Sequence, residues 1–179
     1  MTPPVRTLTA AQFTSHADEL GRLLADVVAG GASLGFLAGL TAEQAADWWR
    51  ARTPAVDRGD LVVCVAVDEA SGRCVGTVSL ALNDWPNGRH RGEVVKLMVH
   101  ETARGKGLAR ALLTTVEQVA ADAGLTLLVL DTETGSPAEP LYRTAGWTPV
   151  GVIPDYAGDP AGIPRPTTLF YKRPGGRRA

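Results

Sequence analysis

The chain has 179 residues, 45% of them hydrophobic and 21% charged: enough for one packed domain, too few for two ordinary ones, and too apolar for a disordered chain. With 18 Lys and Arg against 19 Asp and Glu, a formal charge of -1 and no basic stripe, the composition argues against a nucleic-acid partner. The opening MTPPVRTLTA has no apolar signal core and no later run is long enough to span a bilayer, so no membrane partner and a cytoplasmic location are expected.

Val5–Thr9 is predicted as a short first strand. From Ser15 to Ala29, Leu20, Leu23, Leu24, Val27 and Val28 recur at helical spacing. Gly30-Gly31 and Gly39 bracket a turning stretch with Leu34, Phe36 and Leu37. Thr41 and Gln44 form a capping-box signature for a helix running to Arg52, with Pro54 closing it. Leu61–Val67 and Cys74–Leu82 read as strands around a turn at Glu69, Ser71 and Gly72. That turn does not set Cys64 opposite Cys74, so both are expected as free core thiols. Asn83–Arg91 is a polar loop. Glu93–His100 reads as a strand with Val95, Leu97 and Val99 on one face and Val94, Lys96, Met98 and His100 on the other.

Leu108, Leu112, Val116, Val119 and Ala123 recur at three- and four-residue steps, predicting a helix over Gly107–Ala123 that Gly124 stops. Leu125–Leu130 is a nearly continuous apolar strand suited to a sheet centre. A short helix over Glu139–Ala145, ended by Gly146, precedes strands at Trp147–Ile153 and Thr167–Lys172, with Pro154–Pro166 between them as a positioned loop. This order argues for a mixed α/β sheet in a single domain over residues 1–174, followed by a flexible tail over 175–179.

The chemistry begins at Arg104-Gly105-Lys106-Gly107-Leu108-Ala109, between a strand and the long helix. Glycines there let a ligand approach the backbone, and the first helical N–H groups and the helix dipole favour an anion. The spacing is neither a Walker loop nor a dinucleotide fingerprint. His16, His90 and His100 are scattered without acidic companions, so no metal site is expected.

These residues resemble the GCN5-related N-acetyltransferase (GNAT) family. Val94–Val99 looks like its fourth strand, Arg104-x-x-Gly107-x-Ala109 its Arg/Gln-x-x-Gly-x-Gly/Ala signature, Leu125–Leu130 its fifth strand, and Leu141-Tyr142-x-x-x-Gly146-Trp147 its tyrosine-bearing helix and following turn. The resemblance covers roughly Leu61 to Tyr171. It implies a mixed, mostly antiparallel twisted sheet of about seven strands flanked by helices and splayed between strands four and five. It also implies acetyl-coenzyme A as the acyl donor. The backbone of Leu97, Met98 and Val99 would then face the pantetheine, and Arg104, Gly105, Lys106, Gly107, Leu108 and Ala109 would hold the diphosphate. Where relatives carry an asparagine after the fifth strand, this chain has Thr134-Gly135-Ser136-Pro137, so Ser136 stands as its substitute.

The family position makes Tyr142 the expected general acid for the departing thiolate. Bases come from Asp131, Glu93 and Glu133, and a backbone N–H near Leu97 or Met98 would meet the oxyanion. The segments around Asp131-Thr132, Glu139–Tyr142 and Gly151–Tyr156 are further similar to the tabtoxin-resistance acetyltransferases. That likeness ranks Asp131 before Glu93 and points to antibiotic resistance through a small, amino-acid-like amine. Phe36, Asn83, Trp85, Asp155 and Tyr156 are the expected acceptor contacts. A protein or peptide amine, and a non-catalytic coenzyme A-binding domain, stay as alternatives. The chain is expected as a monomer or homodimer.

Overall fold

The computed structural model of the chain describes residues 2–175, so most of the expected tail lies outside the described residues. The elements are β1 (Val5–Thr7), α1 (Ala10–Ala29), α2 (Ala42–Arg50), α3 (Thr53–Arg58), β2 (Leu61–Val67), β3 (Cys74–Leu82), β4 (Arg91–Val99), α4 (Leu108–Asp122), β5 (Leu127–Glu133), α5 (Glu139–Thr144), β6 (Thr148–Gly158) and β7 (Pro164–Lys172). All seven strands form one sheet in the order β1-β2-β3-β4-β5-β7-β6. Every neighbouring pair is antiparallel except β4 and β5. This is the mixed, mostly antiparallel sheet flanked by helices that the family resemblance implies.

Helices cover both faces. α1 and α2 pack on Val63, Val65 and Met98, while α4 and α5 pack on Cys64, Leu80, Val94, Leu128, Leu130 and Phe170. Leu112, Leu113 and Val116 of α4 are fully enclosed, and burial of each contributes about 1.5–3 kcal/mol. α1 and α2 approach so closely that a Cβ on Gly21 would lie 2.6 Å from the Ala46 nitrogen. Both cysteines are free and buried.

Four expectations are corrected. α1 starts five residues before Ser15, because Thr9 and Gln12 form a capping box of the same kind as Thr41 and Gln44. Pro54 does not close a helix; it sits in the first turn of α3, where its missing N–H costs nothing. The expected Pro154–Pro166 loop is mostly strand: β6 continues to Gly158 and pairs Ala157 with Arg165 and Gly158 with Pro164. Pro154 is tolerated there because β6 is an edge strand, and Asp159 closes the turn by accepting from the N–H groups of Ala161 and Ile163.

The fourth correction concerns β4. Thr77 faces Met98 while Ser79 faces Val95, so β4 carries one extra residue, and Lys96 adopts φ 55. Such a bulge interrupts the two-residue alternation. Val94 therefore packs with the α4 side and Met98 with the α1 side, not on one face as predicted.

Candidate active site

The parallel β4–β5 ladder is short. Arg91, Gly92 and Glu93 pair with Leu127, Leu128 and Val129, and there the pairing ends. β4 continues beside β3 to Val99, and β5 continues beside β7 to Glu133. A gap therefore opens between Val94–Val99 and Leu130–Glu133, in the centre of the sheet, with backbone groups that lack a strand partner across it. An extended chain with its own amides can enter such an opening as a strand does.

The gap leads to the glycine loop. Gly105 and Gly107 have φ 74 and 80, a left-handed geometry suited to glycine, and a Cβ at either would meet no atom within 4 Å. Gly107 is the N-cap of α4 and supplies no side-chain cap, so the first-turn N–H groups are available to a ligand. Arg104 donates from Nε to the Val99 carbonyl at 3.1 Å, and Lys106 from Nζ to the Thr102 carbonyl at 3.1 Å, which tie the loop to the end of β4. A cavity of about 230 Å³ lies here, lined by Val99, Arg104, Gly105, Gly107, Leu108 and Ala109 among others. Left-handed glycines, an uncapped helix start and two basic side chains fit a diphosphate. A larger cavity of about 360 Å³ lies under α1, beside Glu19, Asp26 and His100; Ala103 lines both cavities, and Lys106 of the glycine loop lines the larger one.

Tyr142 sits on α5 on the α4 side of the sheet, with ring centroids 6.1 Å from Trp147 and 5.8 Å from Phe170. The residue is 5% exposed, and its hydroxyl has no protein partner among the described residues, yet it is not one of the fully enclosed unpartnered atoms. Burial, and secondarily the Asp131 carboxylate, push the phenol above its ordinary value. A phenol is neutral near pH 7 in any case, and these surroundings favour that form further.

Leu128 and Leu130 of β5 pack on the α4 side, so Val129, Asp131 and Glu133 face the opposite side by alternation. Asp131 accepts from the Thr167 hydroxyl at 3.1 Å. Asp131 lies inside β5 and Glu133 is its last residue, where the shorter predicted strand had them at and just beyond the end. Glu93 is exposed by area, but the walls around its carboxylate, and then Asp131, raise its pKa. Asp131 and Glu93 share this side with Lys96, which the sequence reading did not single out. Lys96 donates from Nζ to the Leu34 carbonyl at 2.7 Å and lies 5.5 and 5.2 Å from the ring centroids of Phe36 and Trp48. Burial, then Arg52, lowers its pKa, while Asp131 and Glu93 oppose that shift. A left-handed lysine costs about 1–3 kcal/mol, a strain typical of functional positions. Its only sequence signal is one charge inside the apolar run Val94–Val99.

The expected acceptor contacts divide. Phe36 stands at the site, edge-on to Trp48 at 5.3 Å. Its loop is joined to the β6–β7 turn by Ala38 N–H donating to the Pro160 carbonyl at 2.7 Å, so these segments bound the acceptor side together. Asp155, at φ 49, and Tyr156 occupy the irregular stretch of β6 between Ile153 and Ala157, both exposed. Asn83 and Trp85 are not brought in. They precede Arg91, at the paired end of β4 and β5, and Asn83 Oδ1 is occupied by the Trp85 N–H at 3.0 Å. Ser136 follows β5, its hydroxyl 3.2 Å from that of Thr132.

The profile of the acetyltransferase (GNAT) family matches residues 28–147, and the chain belongs to that family. Over 67 residues it is 45% identical to N-acetyltransferase 8 of Rattus norvegicus, a stretch that is 37% of this chain and 30% of the relative. It is 35% identical over 109 residues to an IAA acetyltransferase of Azospirillum brasilense, covering 60% of this chain and 65% of that protein. The matched region thus spans about a third of the rat relative's length and just under two thirds of the bacterial one's. Among solved structures, a phosphinothricin acetyltransferase from Sinorhizobium meliloti in complex with acetyl-CoA superposes with a TM-score of 0.78 at 20% identity, covering 100% of this chain and 92% of that one. A ribosomal-protein-alanine N-acetyltransferase from Brucella melitensis superposes with a TM-score of 0.73 at 25% identity, covering 94% and 98%.

Proposed function

We propose that the chain is an acetyl-CoA-dependent N-acetyltransferase that acts on the primary amine of a small molecule, by direct attack with both substrates bound. The observation that carries this is the β4–β5 gap ending at the Arg104–Ala109 cradle. The backbone of Leu97, Met98 and Val99 would hold the pantetheine, and the loop from Arg104 to Ala109, with Ser136 beyond β5, the rest of the donor. Acetyl-CoA supplies the activated acetyl group and a thiol leaving group.

The chain's own residues supply proton transfer. Tyr142, a neutral phenol packed against Trp147 and Phe170, gives its proton to the departing sulfur. Asp131, held by Thr167, takes the proton of the attacking amine, and Glu93 is the second candidate for this role. A backbone N–H at Leu97 or Met98 faces the carbonyl oxygen as it gains charge. Phe36, Asp155 and Tyr156 border the acceptor. An amino-acid-like antibiotic or toxin is supported by the likeness of the Asp131, Tyr142 and Tyr156 segments to the tabtoxin-resistance acetyltransferases.

The test is thiol release from acetyl-CoA over a panel of antibiotics, amino acids, polyamines and N-terminal peptides, with an acceptor-free control for hydrolysis. Amine-dependent release, reduced at least about tenfold in Tyr142→Phe and Asp131→Asn, is expected. Release unchanged in both variants overturns the proton-transfer roles.

A further inference from the structure

Four charged side chains gather on the acceptor side and do not pair. Among the described residues, neither Glu93 nor Asp131 has a basic side chain within 4.0 Å, and neither Lys96 nor Arg52 has a carboxylate within that distance. Lys96 still feels the charges of Arg52, Asp131 and Glu93, and Glu93 those of Asp131, Arg91 and Lys96. Here the cations are held back. The Lys96 ammonium is drawn to the Leu34 carbonyl and to the faces of Phe36 and Trp48. The Arg52 guanidinium lies 3.2 Å from the Trp48 ring centroid and donates to the Trp48 carbonyl at 2.6 Å.

The result is a site with two poles, one acidic and one basic. The bulge that turns Lys96 to this side does so through a left-handed backbone that a lysine rarely adopts. The Leu34 carbonyl occupies one of the three ammonium N–H groups and leaves two. Both cations are partly buried, so an anion reaching them meets charge that water screens weakly.

We propose that the acceptor is an amine that also carries a carboxylate, and that Lys96, backed by Arg52, is the specificity-determining residue that receives the carboxylate while the amine lies towards Glu93 and Asp131. The inference rests on the acetyltransferase reading and narrows it: a diamine would set its second cation against Lys96, and an esterified acid would lose the charge that Lys96 binds.

The experiment measures thiol release from acetyl-CoA with three acceptor sets: the common α-amino acids, their methyl esters, and diamines. Wild type is expected to prefer at least one free acid over its ester by about tenfold or more in kcat/KM. Lys96→Met is expected to raise KM for that acid about tenfold and bring the ratio near one, with the acetyl-CoA dissociation constant unchanged by calorimetry. Lys96→Arg is expected to restore most of the preference, and Arg52→Gln to weaken it less than Lys96→Met. If Lys96→Met fails to fold, Lys96→Gln and Arg52→Gln still read the charge requirement. Esters or diamines used as well as free acids, a preference that survives Lys96→Met, or no turnover of any acid overturns the inference. Calorimetry on the same wild-type sample separates the two readings: bound acetyl-CoA with acids ignored removes only the carboxylate, while no binding removes the acetyltransferase reading itself.

Discussion

The hydroxyl of Thr167 on β7 donates to Asp131 Oδ2 on β5 at 3.1 Å. The two residues are offset from direct cross-strand partnership, since Asp131 pairs with Leu169 and Thr167 with Glu133. The same hydroxyl lies 3.0 Å from the Thr132 carbonyl, so its one proton is shared between Asp131 and the β5 backbone. Thr167→Val, nearly isosteric, removes the contact without emptying the core. We expect kcat to fall about tenfold for the proposed reaction while acetyl-CoA affinity holds, read by steady-state kinetics and calorimetry.

Glu93 gives a prediction in which stability and activity move apart. Its pKa in the folded protein is raised, first by burial and then by Asp131. The charged form is therefore disfavoured by folding. The penalty is absent below the ordinary glutamate value, grows as pH rises from there through the raised value, and is complete above it. Glu93→Gln is expected to raise Tm slightly at pH 7, with the gain vanishing in acid, and to lower kcat/KM at pH 7. A lower Tm at pH 7 would contradict this placement.

Glu139 behaves in the opposite sense. It is buried at the start of α5, accepting from the Gly135 N–H at 2.7 Å and from Arg143 at 2.6 Å. These contacts, in that order, lower its pKa. Its stabilisation is present above the ordinary glutamate value and is lost as pH falls from there through the lowered value. Glu139→Gln should lower Tm at pH 7 and converge with wild type in strong acid, as followed by thermal melts across pH.

Glu117 ties α4 to the last strand. It accepts from Trp147 Nε1 at 2.8 Å and Lys172 Nζ at 2.6 Å, and Lys172 also reaches the Ala145 carbonyl at 2.7 Å. Removing one partner strands a partly buried cation and an indole N–H. Glu117→Ala is expected to cost about 2–4 kcal/mol in denaturant melts, with little change in acetyl-CoA affinity.

The donor side was legible because its signals are local. Gly105 and Gly107 take the left-handed conformations their residue type suggests, directly before the helix whose apolar steps were plain. The short helix that carries Tyr142 is readable from Gly146, at φ 83, whereas the role expected of Tyr142 rests on the family resemblance alone. The acceptor side was less legible because its determinants are relations between segments. Nothing in Val94–Val99 announces an extra residue, so the bulge and the turning of Lys96 towards Leu34 leave no mark in the sequence. The prolines and glycines between Pro154 and Pro166 resemble a loop, and only pairing along β7 makes them a strand edge. Asn83 looked like a ligand residue, whereas its own turn occupies its side-chain oxygen.

The most direct test of the account is a calorimetric titration of acetyl-CoA into wild type and Gly107→Val. Gly107 has φ 80 and faces open space, so a β-branched side chain there both strains the backbone and fills the cradle. Wild type is expected to bind one acetyl-CoA per chain, and the variant to bind at least about tenfold more weakly, a difference of about 1.4 kcal/mol or more. Absence of binding to wild type, or equal binding by a folded Gly107→Val, would contradict it.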